Sequence, residues 1–407
     1  MYPNLFTIPF LPEPLGEIKS YGFMLMIGFL SAIWLACRRA MRVQANPDVV
    51  LNMGLIALIA GVAGARLYFV LHYWESQFAH LDSPIWAALR IDRGGLEFWG
   101  GPILAIPCVV LYLWWTKQSI RWYIDIVSPS LMWGLAFGRM GCLLNGCCYG
   151  GVCLDPNDPH REKPAFPWAI RFPYGSPAMT QQYWFRQMTL PRELIWIQNT
   201  GESVPFPREW LEESPEKLYG PKRKIEKAEQ ELELLTRTGA DKPAVDKHKA
   251  EIAKLKEKYA QELGKIRQVD EHIARSGLTR AELAELSRHY RSLPVHPAQV
   301  YGIINALLIS WVLAVMFFVR ERHGIVFGWM LVLKSITRFL LELIRQDNPL
   351  DVANMSLSQS VCVGMFIFGI LLLLWLRTRP LKDPLAAPFV WPEEEEEEEK
   401  APATAKA

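Results

Sequence analysis

Apolar residues along this chain gather in seven runs separated by polar breaks, at about residues 20–37, 49–71, 97–115, 122–144, 297–319, 325–344 and 357–376. Runs of this length suit a helix that crosses a hydrocarbon layer of about 30 Å. Trp, Tyr and Arg flank them regularly, as they flank membrane spans. The alternative is a large soluble protein with several buried helices, but such helices are usually shorter. The first run carries its basic residues after the apolar stretch, the wrong polarity for a cleaved signal peptide, so it should remain as a span.

Short-loop cations set the orientation. Arg38, Arg39 and Arg42 follow the first run, Lys117 and Arg121 lie between the third and fourth, Arg320 and Arg322 follow the fifth, and Arg377, Arg379 and Lys382 follow the seventh. These loops alternate along the chain and fall on one side, which is then the cytoplasm. Arg90 and Arg93 are the few cations of the first connection on the other side. The expected fold is an all-α polytopic membrane protein with seven transmembrane helices, N-terminus outside and C-terminus inside.

One insertion interrupts the pattern between the fourth and fifth runs. Residues 146–214 are rich in Pro, Trp and Tyr and contain WAIRF followed by Pro-Tyr-Gly, which reads as a short strand and turn in a small α/β extracytoplasmic cap. Residues 215–294 have another rhythm. Ile225, Ala228, Leu232 and Leu235, then Val245, His248, Ile252, Leu255, Tyr259, Ile266, Val269 and Ile273, recur at helical spacing around a break at Gly239 and Pro243. Glu and Lys fill the other faces, so this is a coiled-coil-like helical hairpin, either a solvated spacer or a docking arm. Thr279 with Glu282 marks the start of one more helix. The domain plan is therefore 1–145 with four spans, 146–214 cap, 215–294 hairpin, 295–378 with three spans, and 379–407 a disordered acidic cytoplasmic tail around WPEEEEEEEK.

Composition changes this picture little. The chain has 407 residues, 51% hydrophobic and 21% charged, with a formal net charge of +2. That charge sums an apolar body, a mixed-charge insert and an acidic tail, so no nucleic-acid partner is indicated.

The chemistry lies where polar residues enter apolar runs. Arg139 sits near the end of the fourth run in GRMGCLLNGCCYG, and Arg338, Glu342 and Arg345 share one helix face in the sixth. Unpaired, each such charge would cost roughly 2.5–3.5 kcal/mol near the midplane. Arginines snorkelling from span ends are one explanation. The sharper one is a shared cavity for an anion, and a lipid phosphate suits guanidinium geometry. The other clusters are Ser20-Tyr21-Gly22, the glycine-paired turn GGLEFWGG with Gly94-Gly95 and Gly100-Gly101, and HPAQVYG from His296 to Gly302. Such glycines allow a non-helical turn lining a cavity, or close helix packing. Among the seven cysteines, Cys37, Cys108 and Cys362 read as packing residues. Cys142, Cys147, Cys148 and Cys153 cluster after the fourth run, for structural or disulfide use. A metal site is the sharper reading, but His and carboxylate ligands at metal spacing are missing nearby.

At these residues the chain resembles the prolipoprotein diacylglyceryl transferase family of the bacterial inner membrane. The family patterns are a Tyr-Gly in the first span, a GGLSFHGG-like turn, a GRxGNFxNxExxG signature, an HPxQLYE motif and an RFxxExxR helix. All have counterparts in order, over about residues 15–155 and 295–378. The resemblance implies transfer of the diacylglyceryl group of phosphatidylglycerol to the lipobox cysteine of a preprolipoprotein, forming a thioether and releasing glycerol phosphate. The partners would be phosphatidylglycerol, preprolipoproteins and membrane lipid, on the periplasmic side, with no cofactor and no metal. Arg139, Arg338 and His296 would be catalytic, the arginines holding the phosphate. Tyr21, Gly95, Trp99, Asn145, Gly150, Tyr301, Glu342 and Arg345 would shape the substrate site. The chain departs from the patterns at Trp99 (His in the family turn), at Cys142 (Asn), at Cys147 (the acidic residue) and at Gly302 (the Glu of HPxQLYE). Trp99 cannot act as a base, which favours a non-catalytic relative that binds lipid or lipoprotein in the same cavity. The retained Arg139, Arg338 and Glu342 oppose that reading. His296 and Tyr21 are the nearest substitute proton acceptors. A transporter would need polar clusters facing both sides and ranks last.

Overall fold

The computed structural model describes residues 4–7, 17–80, 83–90, 95–97, 99–158, 163–198, 201–238, 242–345, 355–386 and 388–389. Its elements in chain order are β1 (Asn4–Thr7), β2 (Glu17–Lys19), α1 (Ser20–Arg42), α2 (Pro47–His72), α3 (Pro84–Leu89), α4 (Gly100–Trp115), α5 (Ile120–Asn145), α6 (Pro177–Trp184), β3 (Ile195–Ile197), β4 (Ser203–Pro205), α7 (Arg208–Glu212), α8 (Pro215–Arg237), α9 (Lys242–Lys258), α10 (Ala260–Ser276), α11 (Arg280–His289), α12 (Ala298–Val319), α13 (Ile325–Ile344) and α14 (Leu357–Arg377). They form two compact units: a helical body of residues 2–150 with 298–407, and an insert unit of residues 151–297.

Each apolar run of the sequence holds one long helix of the body. By length and apolarity four of these can cross a membrane: α1, α2, α12 and α14. The expectation of seven is met in part. α4 has only 16 residues, while α5 and α13 carry charges, Asp125 and Arg139 on one, Lys334, Arg338 and Glu342 on the other. Local chemistry starts the helices where the sequence changes. Asn46 accepts the Asp48 amide at 2.8 Å ahead of Pro47 at the head of α2. Ser356 and Gln359 form a reciprocal capping box for α14.

Within the body, α5 is central: α1 and α12 both pack along it, while α2 pairs with α4 and α13 with α14. The α2–α4 pair touches backbone to backbone at Gly64 and Gly100, where a Cβ on either would collide with the other's carbonyl. An apolar core that includes Ala40, Leu113, Tyr123, Ile126, Leu313, Phe317 and Val326 joins the end of α1, the start of α5, the end of α12 and the start of α13. Asp125, fully buried there, accepts the Gly324 amide at 2.7 Å and the Phe327 amide at 3.0 Å. It thus caps α13, whose own N-cap residue, Gly324, has no side chain to do so. Arg320 pairs with it at 3.0 Å. Arg39 donates to the Ile126 carbonyl at 2.6 Å and to Ser130 at 3.0 Å.

The stretch after α14 departs from the expected free tail. Asp383 pairs with Arg121 at 3.0 Å, its amide donates to His323 Nδ1 at 3.3 Å, and the Phe389 amide donates to the Gln44 carbonyl at 2.7 Å. Asp383 and Phe389 of this stretch are therefore held by Arg121, His323 and Gln44 of the body. The acid run after Trp391, Gly94 of the expected turn, and Gly239 of the hairpin break lie outside the described residues.

The insert unit has its own core. Tyr174, Met179, Leu194 and Phe206 pack with Leu218, Ile266, Val269 and Leu283. β3 and β4 pair antiparallel, and the Tyr174 hydroxyl donates to the carbonyls of Leu194 and Phe206 at 3.1 and 2.8 Å. α8 packs against α9 and α10, and Thr279 with Glu282 closes the capping box of α11. Because Leu218, Ile266 and Val269 belong to this core, the two stretches separated in the sequence at 214/215 share one hydrophobic interior.

Candidate functional site

The site begins with two arginines at matching depths. Arg139 lies six residues before the last residue of α5 and Arg338 six before the last residue of α13. At 1.5 Å per residue both are about 9 Å from their helix ends. Their charges act on each other, and Arg345 also acts on Arg338. The structure therefore brings the three arginines of the sequence reading together.

Arg338 is held by a fixed set of partners. Its Nη1 meets Glu342 Oε2 at 2.6 Å, with the two side chains 18% and 3% exposed. Its Nη2 donates to Ser358 at 3.3 Å, and Ser356 donates to Glu342 Oε1 at 3.1 Å. Glu342 thus sits against the first turn of α14, where the helix dipole favours negative charge. One turn deeper on the same face stands Lys334, a residue the sequence reading passed over. It is ten residues, or about 15 Å, from the end of α13. It lies within electrostatic reach of both Arg139 and Arg338 and has no carboxylate partner among the described residues. The signal was present in the sequence: Lys334, Arg338 and Glu342 are spaced i, i+4, i+8.

Arg139 lies over α12. A Cβ on Gly302 would meet Arg139 Cδ and Cγ at 3.3 Å, so the absent side chain makes room for the arginine. Tyr301 precedes Gly302 on the same helix. Opposite, the start of α1 presses on α5: a Cβ on Gly141 would meet the Tyr21 ring at 2.9 Å. Tyr21 is within electrostatic reach of Arg139 and of the Cys142, Cys147 and Cys148 thiols.

α5 ends at Asn145 because Gly146 takes the left-handed conformation, φ 74°, and donates to the Leu143 carbonyl at 3.2 Å while Cys147 returns to Cys142 at 3.1 Å. Cys148 is also left-handed, φ 58°. Gln299, fully buried, donates to the Cys147 carbonyl at 2.8 Å and pins this turn to α12. Asn145 is in hydrogen-bond reach of Cys147, and Gly150 is buried just beyond. All seven cysteines are unbridged thiols.

Gly95 and Trp99 belong to a separate arrangement. Arg66 on α2 donates to the carbonyls of Ala88, Ala87 and Gly95 at 2.8, 2.9 and 2.9 Å, fixing the non-helical turn. Gly95 has φ 78°, and Trp99 is the N-cap residue of α4. Two residues before it, Glu97 meets His72 Nδ1 at 3.0 Å. This histidine–carboxylate pair was not apparent from sequence, because its members are 25 residues apart. His296 belongs to the insert unit, where its amide donates to the Gly151 carbonyl at 3.0 Å and its ring faces Phe166 at 5.4 Å between centroids.

Comparison with known proteins supplies the family. The family model for prolipoprotein diacylglyceryl transferase matches residues 9–375. The chain belongs to this family. A phosphatidylglycerol–prolipoprotein diacylglyceryl transferase of Rhodopirellula baltica is 33% identical over 187 residues, 44% of this chain and 35% of the relative. Proteins of the same name from Pseudoalteromonas translucida and Escherichia fergusonii are 34% and 36% identical, covering 43% and 42% of this chain and 61% and 55% of theirs. The chain thus spans between about a third and three fifths of the length of these curated relatives.

As a member of the family, this transferase relative shows where its departures fall. Gly302 and Arg139 occupy one contact. Cys142 and Cys147 form one cluster together with Cys148, whose thiols lie within 4.8 Å of one another. Trp99 shares its turn with the Glu97–His72 pair. Cys142 and Cys147 are therefore neighbours in space, Gly302 lies against Arg139, and Trp99 stands in the separate turn held by Arg66.

Proposed function

We propose that this chain transfers the diacylglyceryl group of phosphatidylglycerol to the lipobox cysteine thiol of preprolipoproteins, yielding a thioether and glycerol phosphate. The observation that carries the reading is the convergence of Arg139, Arg338 and Lys334, with Arg338 locked by Glu342, on a family frame. A departing phosphate monoester gains negative charge as its C–O bond breaks. Cations fixed beforehand in a low-dielectric setting stabilise that charge without reorganising. Arg139 and Arg338 hold the phosphate. Tyr21, Asn145, Gly150, Tyr301 and Arg345 shape the headgroup region, and the Gly95–Trp99 turn borders the lipid. The thiol proton goes to a base, for which His296 and Tyr21 are the candidates from sequence and His72, oriented by Glu97, a third.

The same reading has all seven long helices crossing a bacterial inner membrane, α4 as a short span, with the N-terminus and insert unit outside, the C-terminus inside and the site periplasmic. The alternation of basic loops supports this orientation. The test is incorporation of labelled diacylglyceryl from phosphatidylglycerol into a lipobox peptide by the purified protein, with complementation of a strain lacking the transferase. Folded protein that binds phosphatidylglycerol without transfer would instead be the binding-only relative that Trp99 favours.

A further inference from the structure

Three thiols beside the cationic cluster have no role in the scheme above. Cys142 comes from the last turns of α5 and is buried; Cys147 and Cys148 follow the helix end and are half-buried. Their sulfur atoms lie within 4.8 Å of one another. A tetrahedral zinc site with Zn–S bonds of about 2.3 Å places its thiolates about 3.8 Å apart, so these side chains need only small movements to share an ion.

The turn that gathers them is built for it. Gly146 and Cys148 both adopt left-handed backbone, an uncommon conformation for a non-glycine residue, and the buried Gln299 amide holds the Cys147 carbonyl. The carbonyl end of α5 faces the cluster, and a helix C-terminus favours a cation. Arg139 and Arg345 act on Cys148, so the net negative charge of three thiolates on a divalent ion has its counter-charges in place.

We infer that Cys142, Cys147 and Cys148 bind a zinc ion through their thiolates and leave its fourth position to the thiol that is alkylated. The second half of this inference rests on the proposed transferase activity. It departs from the sequence expectation of no metal, which was drawn from a lack of His and carboxylate ligands; three thiolates with an open position are a sufficient donor set. The chemistry fits the departures. The same chain that replaces the Asn and the acid of the family signature by cysteine also replaces the histidine of the family turn by Trp99. A thiol bound to zinc is deprotonated outright. The lipobox thiol releases its proton to water on binding. Its sulfur attacks the glycerol carbon that carries the phosphate ester. The C–S bond forms, the C–O bond breaks, and the electron pair leaves on glycerol phosphate between Arg139 and Arg338. The product thioether is a poor ligand and departs.

The test uses the full-length reduced protein in detergent with phosphatidylglycerol. Zn2+ should bind stoichiometrically after dialysis, measured by elemental mass spectrometry. Cys147→Ser and Cys148→Ser should each lower the affinity by at least about tenfold, and a Cys108→Ser control should not. Co2+ in place of zinc should give a thiolate-to-cobalt charge-transfer band in the unsubstituted protein. A lipobox peptide should shift that band, and its Cys→Ser analogue should leave it unchanged. The cobalt measurement needs no cysteine variant and stands even if the variants misfold. Absence of stoichiometric metal, a band with no thiolate character, or a mass lowered by a disulfide within the cluster overturns the ion site. Transfer at full rate by metal-free protein overturns the inference and leaves the transferase reading intact. Stoichiometric metal without any transfer overturns the transferase reading, and with it the role of the fourth position, while the ion site remains.

Discussion

Glu342 is the residue whose removal separates stability from chemistry. Its carboxylate is 3% exposed and holds Arg338 at 2.6 Å, while Ser356 donates to its other oxygen at 3.1 Å. Glu342→Ala strips the counter-ion from a guanidinium that is itself mostly buried. Breaking a buried pair from one side costs about 3–5 kcal/mol. Glu342→Gln keeps the shape and an acceptor for Ser356 but loses the charge. A hydrogen bond to a charged group contributes roughly 1.5–3 kcal/mol, so this variant should fall between the native protein and Glu342→Ala. The unfolding temperature in detergent should follow that order, and kcat/KM for lipobox-peptide transfer should follow it too. The double substitution Arg338→Met with Glu342→Leu is the decisive arm. Well-packed apolar replacement of a buried pair is often neutral or stabilising, so its stability should recover to near that of the native protein while transfer stays lost. An unchanged unfolding temperature in Glu342→Ala, or restored transfer in the double variant, would refute the argument that the pair exists to present Arg338.

Further outcomes follow from other parts of the structure. Arg139→Ala and Lys334→Met should each lower kcat/KM by about 10²–10³-fold if both cations face the leaving phosphate; native activity in Lys334→Met would remove it from the site. His72→Gln and His296→Gln, compared over a pH–rate profile, should separate the proton acceptor from the bystander, since general-base help is typically about 10²–10⁴-fold; a profile unchanged in both would leave Tyr21 or a metal-bound thiol. Deleting residues 230–257, the far part of α8 and nearly all of α9, and closing with a short Gly-Ser linker should preserve the insert core and transfer, since the one buried apolar side chain it removes among the described residues, Ile252, lies outside that core, whereas deleting 221–276 also removes Ile266 and Val269 from it. Limited proteolysis reads the difference, and loss of transfer in the shorter deletion would make the hairpin functional. His272 gives the insert unit a pH dependence. Its Nε2–H donates to the Glu193 carbonyl at 2.7 Å and its ring stacks on Phe206. Burial, with Arg275 adding to it, pushes its pKa below the ordinary histidine value. The unfolded chain then takes up a proton at about pH 6.5 while the folded one does not. Stability is therefore lost as pH falls below about 6.5 and levels off below the folded pKa. His272→Gln should flatten that slope in unfolding midpoints measured from about pH 8 to 5.

Much of the plan was legible in the sequence because it is local or periodic. Apolar length placed the long helices, Thr279 with Glu282 declared the cap of α11, and the spacing of Arg338 and Glu342 put them on one face of α13, which ends just before Arg345. Motif order alone brought the family into view. Other features depend on which surfaces meet, and no window along the chain contains that information. Asp125 caps a helix that starts 200 residues later. Gly302 matters because Arg139, from another helix, lies across it. Ile266 and Val269 read as hairpin positions, yet they close the core under Tyr174 and Phe206. Spacing puts Lys334 on the face of Arg338 and Glu342, but its nearness to Arg139, on another helix, comes from packing. Cys142, Cys147 and Cys148 are close in sequence, but only the left-handed turn at Gly146 and Cys148 folds their sulfurs onto one point. Periodicity and capping are properties of a single segment and survive in the sequence. Convergence of charge and of thiols is a property of packing between segments, and only the tertiary structure decides it.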